Sequence, residues 1–126
     1  MPHYTVHLRE DALTGREPQL ITALTDAVGS VFGPDFGKLV GVDLIGLPPH
    51  RRATGGLPQT GPAPQVTLSM REAAYTHPAV PEAPQRLIGA ITDAVAGVLG
   101  EETRQETLVT LVGVPEGRTG VGGRLV

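Results

Sequence analysis

The chain contains no cysteine, which removes disulfides, thiolate catalysis and cysteine-held metals from consideration. It has no tryptophan and only 3% aromatic residues, so any core must be assembled from Val, Leu, Ile and Ala. It has no excess of basic charge. The net charge is −3, whereas a nucleic-acid surface needs a basic face. No run approaches the roughly 18 apolar residues of a membrane span, and the polar N-terminus carries no signal-peptide pattern. The four histidines, at positions 3, 7, 50 and 77, show no metal-ligand spacing with carboxylates. The expectation is a cytoplasmic protein without nucleic-acid, membrane, metal or cofactor partners.

What is present suits a packed domain. Hydrophobic residues are 40% and charged ones 18%, a balance that excludes disorder. A length of 126 residues fits one domain or two small repeats. The 17 glycines and 12 prolines gather at a few places, which then mark element boundaries.

Those places recur, because the chain is written twice. Residues 2–10 lie over 64–72 with Pro, Thr, Arg and Glu matched and the apolar alternation kept. Residues 21–28 lie over 88–95, both ending Thr-Asp-Ala-Val, and the match continues to Gly33 over Gly100. Gly46-Leu47-Pro48 lies over Gly113-Val114-Pro115, and Gly55-Gly56 over Gly122-Gly123. The offset grows by five between the first segment and the others, which places a short insertion of the second copy within residues 75–84. Ordered matches of this kind point to tandem duplication.

Each copy predicts strand, helix, strand and a Pro/Gly-rich turn or small hairpin. Tyr4, Val6 and Leu8 alternate with Thr5, His7 and Arg9, a half-buried strand. Leu20, Ile21, Leu24, Ala27, Val28 and Val31 then recur at helical spacing, as do Leu87, Ile88, Ile91, Ala94, Val95 and Val98. Thr14 with Glu17 has the spacing of a capping box. Second strands are expected over 39–47 and 107–114, and hairpins over 48–56 and 115–123. Right-handed βαβ crossovers make the strands of each copy parallel. The predicted fold is α/β (α+β): a four-stranded, mainly parallel-paired sheet with two helices on one face. Residues 1–56 form the first repeat, 57–63 a linker and 64–126 the second repeat of one pseudo-symmetric domain. The other sheet face is left bare, with Val42, Leu44, Val109 and Leu111 expected on it, so an oligomer is predicted.

The chain begins Met1-Pro2. Removal of Met1 turns Pro2 into a secondary amine at the start of a strand, able to act as base or nucleophile. Pro64 repeats Pro2 within the chain, where its nitrogen is an amide and inert. One working site per chain is therefore expected.

Met-Pro, a βαβ unit, and a strand ending in Pro48-Pro49-His50-Arg51-Arg52-Ala53-Thr54-Gly55-Gly56 together resemble the tautomerase superfamily. Doubled chains of this length resemble its trimeric branches, the fused 4-oxalocrotonate tautomerases and the cis-3-chloroacrylic acid dehalogenase-like group. Asp11-Ala12-Leu13-Thr14 and the helix segment 23–27 look most like the latter. The resemblance implies a homotrimer and a tautomerase (isomerase) that uses Pro2 as general base on a small enol or 2-keto carboxylic acid. An apolar wall and a nearby arginine would hold the amine's pKa down toward working pH. Arginine suits the substrate carboxylate because it clamps a planar anion. By the same resemblance, Arg71 after the third strand matches a carboxylate-binding arginine, and Arg52 replaces a hairpin aromatic that covers a neighbouring pocket. Arg9 is the twin of Arg71, and Tyr4 shares the face of Pro2.

The sequence also departs from the pattern. Ala12 or Ala74 stands where the 4-oxalocrotonate branch has an arginine, and Gly41 and Leu108 where it has another. Val28 stands for a helix histidine of the dehalogenase branch and Thr110 for its tyrosine. Each candidate arginine also has a plain reading as a solvated strand-end or turn residue, and His7 reads as structural. The exchanged helpers leave open hydration, dehalogenation, decarboxylation or a biosynthetic cyclisation on the same fold, or a non-catalytic trimeric binding protein.

Overall fold

The computed structural model describes residues 1–126. Alternation in the first segment is realised as β1 (His3–Arg9), in which Tyr4, Val6 and Leu8 are buried. A single helical turn, α1 (Glu10–Leu13), follows at once. Thr14 closes that turn, its hydroxyl donating to the Glu10 carbonyl at 2.9 Å, so it does not cap the long helix as its spacing suggested. The helix α2 (Glu17–Phe32) begins with Glu17 and Pro18, and the Glu17 carboxylate instead accepts the Gly15 N–H. A proline in the first turn costs no hydrogen bond, since that N–H has no partner in a helix. Helix α2 stops at Gly33, and a short turn α3 (Pro34–Gly37) folds back so that the rings of Phe32 and Phe36 lie 4.9 Å apart.

β2 (Gly41–Leu47) then pairs parallel to β1, from His3 beside Gly41 to Arg9 beside Leu47. Next come the two-residue strands β3 (Ala53–Thr54) and β4 (Leu57–Pro58). They are joined by Gly55-Gly56, both at positive φ, as a tight two-residue hairpin turn demands. The hairpin therefore runs two residues into the segment expected to be linker, because its return strand must pair.

The second repeat follows the same order: β5 (Gln65–Arg71), α4 (Glu72–Tyr75), α5 (Ala83–Leu99), β6 (Leu108–Val114), then the hairpin β7 (Gly120–Val121) and β8 (Arg124–Leu125). A 3-10 segment over Glu101–Glu106 joins α5 to β6. The insertion lies between the two helices of the repeat, where residues 76–82 replace the shorter 14–16.

The main sheet has the order β2-β1-β5-β6, parallel within each repeat and antiparallel at the β1–β5 seam, where Val6 faces Val66. α2 and α5 lie side by side over one face. Leu20, Leu24 and Val28 of α2 and Leu87, Ile91 and Val95 of α5 are sealed from solvent against β1 and β5. Each such side chain stabilises the fold by about 1.5–3 kcal/mol. Ile21 and Ile88, at the edge of the helical stripes, remain exposed.

One expectation is corrected. Val42, Leu44, Val109 and Leu111 are not on the bare face but pack against the core, beside Tyr4, Val6, Val66 and Leu68. By alternation the open face carries His3, Thr5, His7, Arg9, Gln65, Thr67, Ser69 and Arg71 at its centre. Its apolar residues are at the two edges, with Ile45 on β2 and Leu108 and Val112 on β6. His3 on this face meets Asp43 at 2.9 Å. No helix is long and apolar enough to cross a membrane.

Candidate active site around Pro2

Pro2 sits just ahead of β1, and its carbonyl accepts the Gly41 N–H at 2.9 Å, which ties it to the start of β2. Continuing the β1–β5 register places it across from Met70, under the same layer as Tyr4. It is buried, while Met1 before it is 73% exposed. The two flank a cavity of about 250 Å³ whose wall is largely apolar, from Phe36, Leu39, Met70 and Ala74. Phe36 is present because α3 turns back at Gly33, and Leu39 because β2 starts two residues later than its hydropathy suggested.

Arg71 stands at the rim of this cavity, at the last position of β5. It is exposed, and its guanidinium makes no hydrogen bond or ion pair within the chain. It carries the one charged side chain in the lining, which also includes Met1 and Val126. The site thus combines a buried pyrrolidine ring, an apolar wall and one uncommitted cation. That set can hold a small anion by its charged end and keep the rest of it away from water.

The twin end of the sheet looks different. Arg9 donates to the Thr60 carbonyl at 2.8 Å and meets Asp11 at 2.6 Å, and its own N–H bonds to Pro62. The chain joining the repeats runs where the Pro2 end is open. The hollow there, about 300 Å³, is lined by Arg9, Asp11, Ala12, Thr60, Gly61 and Pro62. Arg52 is committed too, donating to the Ala63 carbonyl at 2.6 Å. Arg9 and Arg52 therefore brace the linker at the Pro64 end, and neither lines the Pro2 cavity. Pro64 is buried, with an ordinary amide nitrogen.

Tyr4 does not line the cavity either. It is sealed in the core, and its hydroxyl has no hydrogen-bond partner. Burial first, and then the neighbouring Tyr75, push its pKa far above that of free tyrosine, so it is a neutral filler at working pH. Tyr75 of α4 was missed in the sequence. Its single O–H is shared between the carbonyls of Leu68 and Val112, both at 3.0 Å, and so ties β5 to β6. Its pKa is pushed up to about 12 by burial and then by the Glu72 carboxylate, with the bond to Val112 opposing. Phe36, Leu39 and Met70 were also missed. Only Met70, two residues from the strand partner of Tyr4, carried a usable signal, as the antiparallel neighbour of Pro2. No cluster of three or more His, Asp or Glu side chains is placed to hold a metal ion.

No family model matches the chain, and no curated protein does. Solved structures do match. A fused 4-OT that forms an asymmetric trimer superposes with a TM-score of 0.80 at 25% identity, over 98% of this chain and 94% of that one. The chain has the tautomerase-superfamily fold. A member of the cis-3-chloroacrylic acid dehalogenase family gives a TM-score of 0.77 at 20% identity, over 98% of this chain and 82% of that one. FG41 malonate semialdehyde decarboxylase, inhibited by 3-bromopropiolate, gives 0.70 at 14% identity, over 94% and 88%. Proteins of this tautomerase fold thus include enzymes named for isomerising, dehalogenating and decarboxylating chemistry. Within the fold, Ala74 lines the Pro2 cavity at one of the two places where the resemblance implied an arginine.

Proposed function

We propose that the chain is a keto-enol tautomerase in which Pro2, freed by removal of Met1, is the general base. Arg71 holds the carboxylate of a small enol or 2-keto acid. The nitrogen of Pro2 takes the enol O–H proton and returns a proton to C3, leaving the 2-keto acid and the neutral amine. The observation that carries this reading is the meeting of a buried Pro2 and an uncommitted Arg71 at one apolar cavity. Burial and the nearby guanidinium both disfavour a protonated amine, so the base is available near neutral pH.

Met1 precedes Pro2 here, and while it is attached the Pro2 nitrogen is an amide. The reading therefore requires its removal, as is usual before a small residue. The working unit is a homotrimer with one site per chain, a proposal supported by the trimeric fused 4-OT and by the apolar edges of the open sheet face. Light scattering should give three times 13.1 kDa.

Pro2→Ala should lower kcat/KM for an enol acid by about a hundredfold or more, the range of a general base. A variant as fast as the parent would remove Pro2 from the mechanism. One alternative keeps the site and changes the reaction. Among side chains the lining holds one cation, Arg71, and no Asp or Glu, which suits a Pro2 nucleophile attacking a keto carbon as well as a proton shuttle. Borohydride with a keto acid separates the two, since a reduced adduct on Pro2 marks the nucleophile. The arginine at the rim weighs against a non-catalytic binding protein.

A further inference from the structure

Two walls of the Pro2 cavity, Phe36 and Ala74, have a second hollow against them. That hollow is about 280 Å³, and its other walls are Phe32, His77, Ala79 and Val80. Each of the two alone is just under the size usual for a small-ligand site, roughly 300–1,000 Å³, so a ligand with an apolar tail would need both. The second hollow holds no lysine or arginine. Its outer wall is the insertion peculiar to the second repeat, residues 76–82. The first repeat has Thr14-Gly15-Arg16 at that place, and the hollow beside Arg9 is polar. An apolar annex therefore exists only at the end of the sheet that carries Pro2.

The wall is held in shape. The Ala79 N–H donates to His77 Nδ1 at 3.1 Å, and the Val80 N–H to the His77 carbonyl at 3.0 Å. Glu82 closes the segment in the left-handed region, at φ +56°. A non-glycine residue there costs on the order of 1–2 kcal/mol, so the surrounding contacts must over-determine the turn.

We propose that this annex takes the apolar tail of the substrate whose carboxylate is held by Arg71. The substrate class is then a monocarboxylic enol or 2-keto acid with an aryl or branched alkyl group, and not a short dicarboxylate. The inference rests on the Pro2 reading above. A second carboxylate in the annex would lie against Phe32, Phe36 and Val80 with no lysine or arginine, and the only polar side chain there, His77, already has its Nδ1 taken by the Ala79 N–H, so the desolvation is poorly offset. A phenyl group there leaves water at a gain of about fourfold in affinity per methylene-sized unit.

The test is calorimetric binding of 3-phenylpropanoate and succinate to the purified trimer, with turnover of phenylenolpyruvate followed separately. Phenylpropanoate should bind at least about tenfold more tightly. Val80→Glu should cut that ratio to threefold or less, and the milder Val80→Ser should reduce it part-way. Equal affinities in the parent protein, or a ratio that neither Val80 variant moves, would overturn the annex. A clear binding preference without any turnover would overturn the Pro2 base and leave the annex standing. Turnover without the preference would do the reverse.

Discussion

Arg71 and Arg9 occupy the same position in the two repeats, so replacing each by alanine is a controlled experiment within one chain. Arg71 has no partner within the chain and stands at the rim of the Pro2 cavity. Its loss removes a charged hydrogen-bond donor from the substrate, worth about 1.5–3 kcal/mol. The side chain is exposed, so solvent screening moves the expectation to the lower part of that range, about 1.5–2 kcal/mol. That is about ten- to thirtyfold in kcat/KM. Arg9, in contrast, holds the linker through Thr60 at 2.8 Å and Asp11 at 2.6 Å. Asp11 is well exposed, so the pair adds at most about 1 kcal/mol and the bond to the Thr60 carbonyl about as much again. Arg9→Ala should therefore lower stability by about 1–2 kcal/mol and change kcat/KM by less than about twofold. The assay is steady-state turnover of an enol acid at a temperature where both variants are folded, with urea denaturation for stability. Equal losses of kcat/KM in the two variants, or none in Arg71→Ala, would refute the assignment of the open end as the site.

Other outcomes follow from single groups. Tyr75→Phe leaves the Leu68 and Val112 carbonyls without that donor and should lower stability by about 1–1.5 kcal/mol, whereas Tyr4→Phe removes an unpartnered hydroxyl and should be neutral or stabilising, both read by denaturation midpoint. The raised pKa of Tyr75, about 12 against 10 for the free side chain, means the folded state holds that proton more tightly. Its contribution is complete below pH 10 and fades as pH climbs toward 12, so phenolate absorbance and loss of fold should rise together there. Pro64→Ala should leave turnover within about twofold of the parent, since an amide nitrogen has no part in proton transfer.

The repeats, the sheet and the helical faces could be read from the chain because they depend on periodicity, which burial enforces. The parity of the edge strands could not. β2 has Val42 and Leu44 on one face and Ile45 and Leu47 on the other, and β6 is apolar on both, so alternation does not say which side is inward. Pairing with β1 and β5 decides it, through contacts distant in sequence. Pro2 and Arg71 are singled out by chemistry and position, and the structure brings the two to one cavity. Periodicity does not separate Arg9 from Arg71, and only the resemblance favours Arg71; in the structure the linker and Asp11 commit Arg9 and leave Arg71 free. Tyr4 was assigned to the pocket from its shared face with Pro2, yet two residues further along β1 that face is already covered by the helices. Phe36 and the annex were hidden in a helix end and an insertion, where neither period applies.

The central claim is that the Pro2 nitrogen is a free, weakly basic amine in the working protein. Protein labelled with ¹⁵N-proline, checked by intact mass and titrated by NMR, addresses it directly. The account predicts a mass lacking Met1 and a Pro2 resonance that titrates well below a free prolyl amine, falling back toward it in Arg71→Ala. Active protein that retains Met1, or a Pro2 nitrogen that does not titrate, would contradict it.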